Sequence, residues 1–454
     1  MSLFSSLRRE QREAIGLLQI GTFLEYFDLM LYVHMAVLLN DLFFPKTDPH
    51  TASLIAAFAF CSTYVLRPFG ALLFGWIGDH IGRKTTVIIT TIMMAISCLI
   101  MANLPTYSQI GITAAWIVTL CRILQGLSSM GEIVGAQIYI TEITKPPVQY
   151  PAVALIGVAS VIGTMTALLI ATLVTTQGFN WLLAFWIGAG IALVGSVART
   201  RLRETPDFVD MKRRMKKAIE ESSHDGLGKA ADLLKNTNPL FKEKVGKKTG
   251  LSFLFLQMPQ GVLFFFIYIY CGSLLQSKFG FTPAEIIHHN FMVSLFDLFV
   301  VSVVAYLSYH INPLQIIKFQ FFILSFFIVL MPYVLTYMIS NSFDLFLVQV
   351  IFIAFFFGLF PAHPIIYNHI PIFRRFTYSA FTYAFARALA YIITSFTFVY
   401  ATESLGYYGL WVIMIPVSIM FLFGLKHFEK LEYETRHDNP ETALRKPLTA
   451  SSVR

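Results

Sequence analysis

The sequence is poor in charge. Of its 454 residues, 13% are Asp, Glu, Lys or Arg, against about 25% in a soluble domain. That deficit excludes a chain covered mainly by a water-facing surface. Cysteine is scarce too. Cys61, Cys98, Cys121 and Cys271 lie in or beside apolar runs, and none forms a C-x-x-C pair, so neither a metal cluster nor a disulfide framework is expected. H-E-x-x-H, G-x-S-x-G and P-loop patterns are missing, which leaves no basis for a hydrolase or an ATP-driven pump. No cofactor and no metal is expected, and an enzyme is not. The first apolar run, from about Ala14, is too long for a signal h-region and lacks a small-residue cleavage site, so no cleavable signal is expected.

What the chain does have is long apolar runs. Hydrophobic residues make up 56% of it, and 44 residues are Phe, most of them expected to face lipid. A bilayer core about 30 Å thick needs about 20 apolar residues of helix to cross. Runs of that kind fall near 14–39, 52–78, 85–104, 110–141, 151–175, 181–199, 250–275, 290–310, 314–338, 344–367, 378–402 and 408–426. They predict an all-α polytopic membrane protein with twelve transmembrane helices. The segment 199–249 is polar and holds 14 of the 34 Lys and Arg. It divides the chain into a six-helix half (1–198), a linker (199–249), a second six-helix half (250–426) and a tail (427–454), although no strong sequence repeat relates the halves.

Loops rich in Lys and Arg stay in the cytoplasm. The loops expected on one side hold only Lys46 and Lys278, so both termini and the linker are assigned to the cytoplasm. The net charge of +8 then reflects topology, and no nucleic-acid partner is expected. The linker's Lys212, Arg213, Arg214, Lys216 and Lys217 are read as solvated, with attachment to anionic lipid as the alternative.

Charges inside the spans carry the functional signal, because an ionisable group in a membrane is costly and usually faces a cavity or a partner. Glu25 and Asp28 share one face of the first span, continued by Tyr32 and Met35. They suit proton carriage or a structural hydrogen bond to a neighbouring helix. In the fourth span Arg122, Gln125, Ser129, Glu132 and Ala136 fall on one side. Gly131 and Gly135 form a small-x-x-x-small pair that admits a neighbouring helix. A buried Arg122 needs a carboxylate, which Asp28, Glu25 or Glu132 can supply. In the second half Asp297 and Arg387 are isolated intramembrane charges. Arg387, framed by Tyr383 and Tyr391 four residues to either side, suits a carboxylate-bearing ligand or a packing contact on aromatic rings. Gln257, Gln260 and Tyr268 on the seventh span add hydrogen-bonding capacity. His34, His363 and His369 are read as packing residues.

The loop after the second span, Gly75-Trp-Ile-Gly78-Asp79-His-Ile-Gly82-Arg83-Lys84, resembles the G-x-x-x-D-x-x-G-R-K signature of the major facilitator superfamily. Arg122-Ile-Leu-Gln125-Gly126 resembles a second motif of that superfamily, linked to proton coupling. Glu142 resembles the acidic partner of the loop arginine, here Arg83. Glu25-Tyr-Phe-Asp28, Arg67-Pro-Phe-Gly70, Gly131-Glu132 and Arg203-Glu-Thr-Pro-Asp-Phe208 are similar to one branch, the metabolite:proton symporter family, which includes proline/betaine and α-ketoglutarate transporters. The resemblance is far stronger before residue 210.

The resemblance implies a monomer in a bacterial inner membrane that takes up a small zwitterion or carboxylate with protons by alternating access. It casts Glu25, Asp28, Arg122 and Glu132 in proton coupling. Gly75, Asp79, Gly82, Arg83, Lys84 and Glu142 become a cytoplasmic gate. Tyr32, Gln125, Gln257, Gln260, Tyr383, Arg387 and Tyr391 remain the candidates for binding the solute. An exporter or uncoupled facilitator on the same scaffold, and a membrane sensor that binds solute without moving it, are the rival readings. The loop Tyr309-His-Ile-Asn-Pro313 departs from the signature that the second half is expected to repeat, so a second-half gate must be built differently or be weaker. The tail shows no sustained heptads.

Overall fold

The computed structural model describes residues 6–44, 66–177, 180, 182–200, 202–206, 209, 210, 213 and 244–438. Among these residues every regular element is helical. The long helices are α1 (Arg9–Phe43), α2 (66–80), α3 (Arg83–Ala102), α4 (Ile112–Ile143), α5 (Gln149–Gln177), α6 (Leu182–Arg199), α7 (Lys247–Phe279), α8 (Pro283–His310), α9 (Pro313–Tyr337), α10 (Ser342–Ala354), α11 (Ile372–Leu405) and α12 (Trp411–Asp438). Most of the expected second span, and nearly all of the 199–249 linker, lie outside the described residues.

Eight stretches among the described residues are long and apolar enough to cross a bilayer, and one of them, Ile372–Thr435, covers both α11 and α12. The chain is an integral membrane protein. Its outer surface follows from that solvent: Trp116, Phe299, Phe319, Phe326 and Phe423 each expose more than half of their surface, as side chains that meet lipid rather than water do.

Helix starts are locally encoded. Thr282 caps α8, and Glu285 closes the reciprocal capping box. Asn341 and Asp344 do the same for α10. Asn312 accepts from the Leu314 amide at 2.9 Å, with Pro313 at the first position of α9. The loop that departs from the signature is therefore a compact helix cap.

Two elements differ from the sequence expectation. The tenth span, expected as one helix over 344–367, stops at Ala354 and resumes as a turn at Phe360–Ala362 and a short helix at His363–Asn368. Pro361 and Pro364 lack the amide that a continuous helix would use, so each begins a new turn instead. Secondly, α12 runs past 426 to Asp438. Hydropathy ends where the apolar run ends. The helix continues on a polar surface braced by Lys318–Glu429 at 2.9 Å and Lys430–Glu434 at 3.5 Å.

In the packing, α1 and α8 both lie along α5, α3 lies between α4 and α6, and α7 lies between α11 and α12. Helices of the two sequence halves meet where α5 packs on α8 and where α4 packs on α11. Helix α7 is not uniform. It contains Pro259 and a single π turn at Phe265–Tyr270. Beside that turn, Gln349 of α10 donates to the Ile267 carbonyl at 2.7 Å and accepts from His289 of α8 at 2.6 Å. The buried Gln349 amide thus ties α7, α8 and α10 together.

Candidate functional site

Buried polar side chains gather in three groups within the bundle. The first lies on α1, α2 and α4. Asp28 accepts from Arg122 Nη1 at 3.1 Å and from Gln125 Nε2 at 2.9 Å, and Gln125 Oε1 accepts from Arg122 at 2.9 Å. The Cys98 thiol lies 3.9 Å from the same carboxylate. Of the three acids that can serve Arg122, it is Asp28 that does. Glu25, one turn earlier on α1, sits 3.7 Å from Arg67 of α2. Glu132 goes elsewhere again, accepting from the hydroxyls of Thr90 and Thr91 on α3. Gly131 makes this possible: an added Cβ there would overlap the Thr90 side chain. All of these charged groups are buried, and a buried charge is tolerated only when paired and hydrogen-bonded.

The second group lies at the polar end of the bundle, where α2 turns into α3. Gly82 sits at φ 151°, a backbone conformation that side-chain-bearing residues rarely adopt. The turn brings Arg83 Nη1 to 3.1 Å from Asp79 Oδ1. Arg83 Nη2 lies 3.3 Å from Glu142 of α4 and donates to the Ile372 carbonyl at 2.9 Å. Asp79 accepts from the amides of Phe376 and Thr377 at 3.0 and 2.8 Å and from the Thr377 hydroxyl at 2.7 Å. Arg375 reaches Glu142 at 3.4 Å. The partner of the signature loop is thus the start of α11. Gly75 lets the two approach, since an added Cβ would stand 2.5 Å from the Thr377 Cα.

Glu204, in the segment after α6, accepts from the first two amides of α3, Arg83 at 3.0 Å and Lys84 at 3.3 Å. It supplies the cap that Gly82 cannot. Thr205 donates to Glu142 at 2.6 Å. Glu204 and Thr205 of that motif therefore tie the segment after α6 to the Asp79, Arg83 and Glu142 group.

The third group surrounds a cavity of ≈ 120 Å³ between α1 and α5 on one side and α7, α8, α10 and α11 on the other. Gln260, Arg387 and Tyr391 line it, as do Tyr26 of α1 and Asp297 of α8. The π turn contributes Ile267 and Tyr268, and the break after α10 contributes Phe356, Gly358 and Phe360. Tyr383 is buried beneath Arg387, whose guanidinium carbon lies 4.4 Å from the ring centre. Its hydroxyl lies 3.5 Å from that of Tyr26. Gln257 is turned to His363, at 3.2 Å, and Gln125 is engaged with Asp28 and Arg122. The side chain of Tyr32 lies outside the described residues.

Sequence reasoning passed over several of these partners. Arg375 and Thr377 carry no motif, and the Ile372 carbonyl is invisible to any side-chain pattern. Pro361 and Pro364 were the available signal for the break that opens α10 to the cavity.

Residues 18–393 match the sequence model of the Major Facilitator Superfamily. A proline/betaine transporter of Salmonella typhimurium is 28% identical over 306 residues, 65% of this chain and 59% of the relative. A glycine betaine/proline/ectoine/pipecolic acid transporter of Dickeya dadantii is 33% identical over 223 residues, 48% of this chain and 44% of the relative. The chain thus spans about half the length of the curated relatives it matches. Among solved structures, that of the proton:xylose symporter XylE superposes with a TM-score of 0.70 at 15% identity, covering 92% of this chain and 95% of that one. A human organic anion transporter gives 0.65 at 14% identity, covering 93% and 100%. These likenesses establish the fold.

Proposed function

The chain belongs to the major facilitator superfamily, whose members are transporters and not enzymes, and we propose that it is a proton-coupled symporter of a small zwitterionic or carboxylate metabolite. The observation that carries the reading is that one helix serves both tasks. Glu25 and Asp28 of α1 sit in buried ion pairs, while Tyr26 and Met30 of the same helix line the cavity. Tyr26 then reaches Tyr383, on which Arg387 rests.

In this mechanism a proton on Asp28 removes the counter-charge of Arg122. Leaving a buried cation unpaired costs about 3–5 kcal/mol, so α1 shifts against α4 to relieve it. Movement of α1 reshapes the cavity wall through Tyr26. Arg387 holds the solute carboxylate, and Glu132 couples α4 to α3. The halves 1–198 and 250–426 rock about the site. Asp79, Arg83, Glu142 and Arg375 hold the polar end shut while the other end is open. Both termini and that polar end face the cytoplasm of a bacterial cell, following the distribution of Lys and Arg.

The test is uptake into proteoliposomes with an inside-alkaline pH gradient, using proline, glycine betaine, α-ketoglutarate, citrate and shikimate, with and without a protonophore. Protonophore-sensitive accumulation of one solute is the expected result. Equilibration without accumulation would establish an uncoupled facilitator. Saturable binding with no flux would establish a sensor.

A further inference from the structure

One carboxylate has no part in the proton and latch chemistry. Asp297 lies within α8, and with Val300, Val301 and Val304 it lines the cavity. Those positions recur at i, i+3, i+4 and i+7, one helix face. The opposite face, Phe299, Val303 and Tyr306, is exposed toward lipid. Asp297 is therefore turned inward. Among the described residues no ion pair or hydrogen bond joins it to another side chain. An acid placed in a membrane helix without a protein cation points to a cation from elsewhere.

Its surroundings fit an alkylated ammonium. Tyr268 of α7 lines the same cavity, and its hydroxyl lies 3.4 Å from that of Ser294, one turn before Asp297. The ring packs on Phe264 at 5.1 Å between centroids, and Phe264 packs on Tyr391 at 6.2 Å. Aromatic faces beside a carboxylate attract a cation whose charge is spread over carbon substituents. Arg387 is the one other charged residue lining the cavity among the described residues, and it comes from a different helix, α11. The lining thus offers one anion and one cation, separated by apolar and aromatic wall. A dicarboxylate would be attracted by Arg387 but would set its second charge against Asp297. A zwitterion satisfies both.

We propose that Asp297 is the cation-recognising residue of this cavity and selects solutes that carry an ammonium as well as a carboxylate over carboxylates that lack one. The inference rests on the cavity being the solute site, as in the transport reading, and it decides between the two solute classes which that reading leaves together.

The experiment is equilibrium dialysis of the purified protein with isosteric pairs. Glycine betaine is compared with tert-butylacetate, in which carbon replaces the cationic nitrogen. Proline is compared with cyclopentanecarboxylate, and α-ketoglutarate stands for dicarboxylates. One zwitterion is expected to bind about 30-fold or more tightly than its isostere, the ratio typical of losing one partner of a desolvated charge pair. Asp297→Asn should abolish that ratio, Asp297→Glu should keep most of it, and both variants should melt near the wild-type temperature. Equal binding of an isostere or of α-ketoglutarate by the wild type, an undiminished ratio in Asp297→Asn, or no binding by any member of the panel would overturn the proposal. Asp297-dependent zwitterion binding without flux would remove the transport reading and leave this one. Proton-driven accumulation of α-ketoglutarate without zwitterion binding would do the reverse.

Discussion

From α1 to the segment after α6, the buried acids hold one another's helices in place. Glu25 faces Arg67, Asp28 faces Arg122, Asp79 faces Arg83, and Glu132 faces two threonines. Glu142 gathers Arg83, Arg375 and Thr205. The cavity-lining charges from α7 onward are arranged otherwise. Asp297 and Arg387 stand on separate helices and line a common cavity among aromatic rings. The first arrangement spends its charges on protein geometry, so removing one unbalances its partner. The second presents charge to a space, so removing one should cost binding and little stability. On the transport reading proposed above, the first arrangement serves movement and the second serves selection.

That contrast can be broken at several points. Asp28→Asn carries the largest expected effect: protonophore-sensitive accumulation is lost, and Arg122, left without its carboxylate, lowers stability by about 3 kcal/mol or more. Transport assays and thermal melting on the same preparation check both. Full accumulation by this variant would remove Asp28 from proton coupling. Gly75→Val comes next. Its Cβ meets backbone, the Thr377 Cα at 2.5 Å, which no rotamer relieves, so the polar end should fail to close. Thiol labelling of a cysteine at the buried position Ser379 should rise well above the level in the Ser379→Cys parent.

Glu132→Ala removes the charged acceptor that Thr90 and Thr91 share, leaving their hydroxyls only the Thr86 and Val87 carbonyls of their own helix, and should cost about 1–3 kcal/mol, read by thermal melting. Glu132→Gln keeps an acceptor and should cost less. The smallest effect is at Glu204. Glu204→Ala removes the cap from the α3 amides and should cost about 1 kcal/mol, whereas Glu204→Gln should stay near wild type. A loss of stability at Asp297→Asn as large as that at Asp28→Asn would erase the distinction.

The sequence made the first arrangement more legible than the second. Asp79 and Arg83, four residues apart, and Arg122 and Gln125, three apart, are brought together by helical spacing alone. Which acid Arg122 would take was not legible, because Asp28, Glu25 and Glu132 all lie within plausible reach until α1, α3 and α4 are placed. The contact of the signature loop with α11 was hidden for another reason. It uses the amides of Phe376 and Thr377 and the carbonyl of Ile372, and backbone groups leave no residue-type signal. Glu204 reaches α3 from 121 residues away. In the later helices, hydropathy found the apolar runs but read 344–367 as continuous. An apolar run with two prolines scores as a span whether or not it is one helix.

The π turn in α7 has a consequence for how this gene can vary. A turn of that kind contains one residue more than an α-helical turn, and one residue corresponds to about 100° of rotation at 3.6 residues per turn. Loss of a single codon within Phe265–Tyr270 would leave an unbroken α-helix that could still cross the membrane. It would also swing everything on one side of the lesion about 100° away from its present neighbours, separating Gln260 and Phe264 from the face that now carries Tyr268, and depriving Gln349 of its carbonyl. Such a deletion would be neutral for insertion and ruinous for the cavity. Lineages that keep this pocket should therefore conserve the length of this helix more strictly than the identity of the aromatic residues within it.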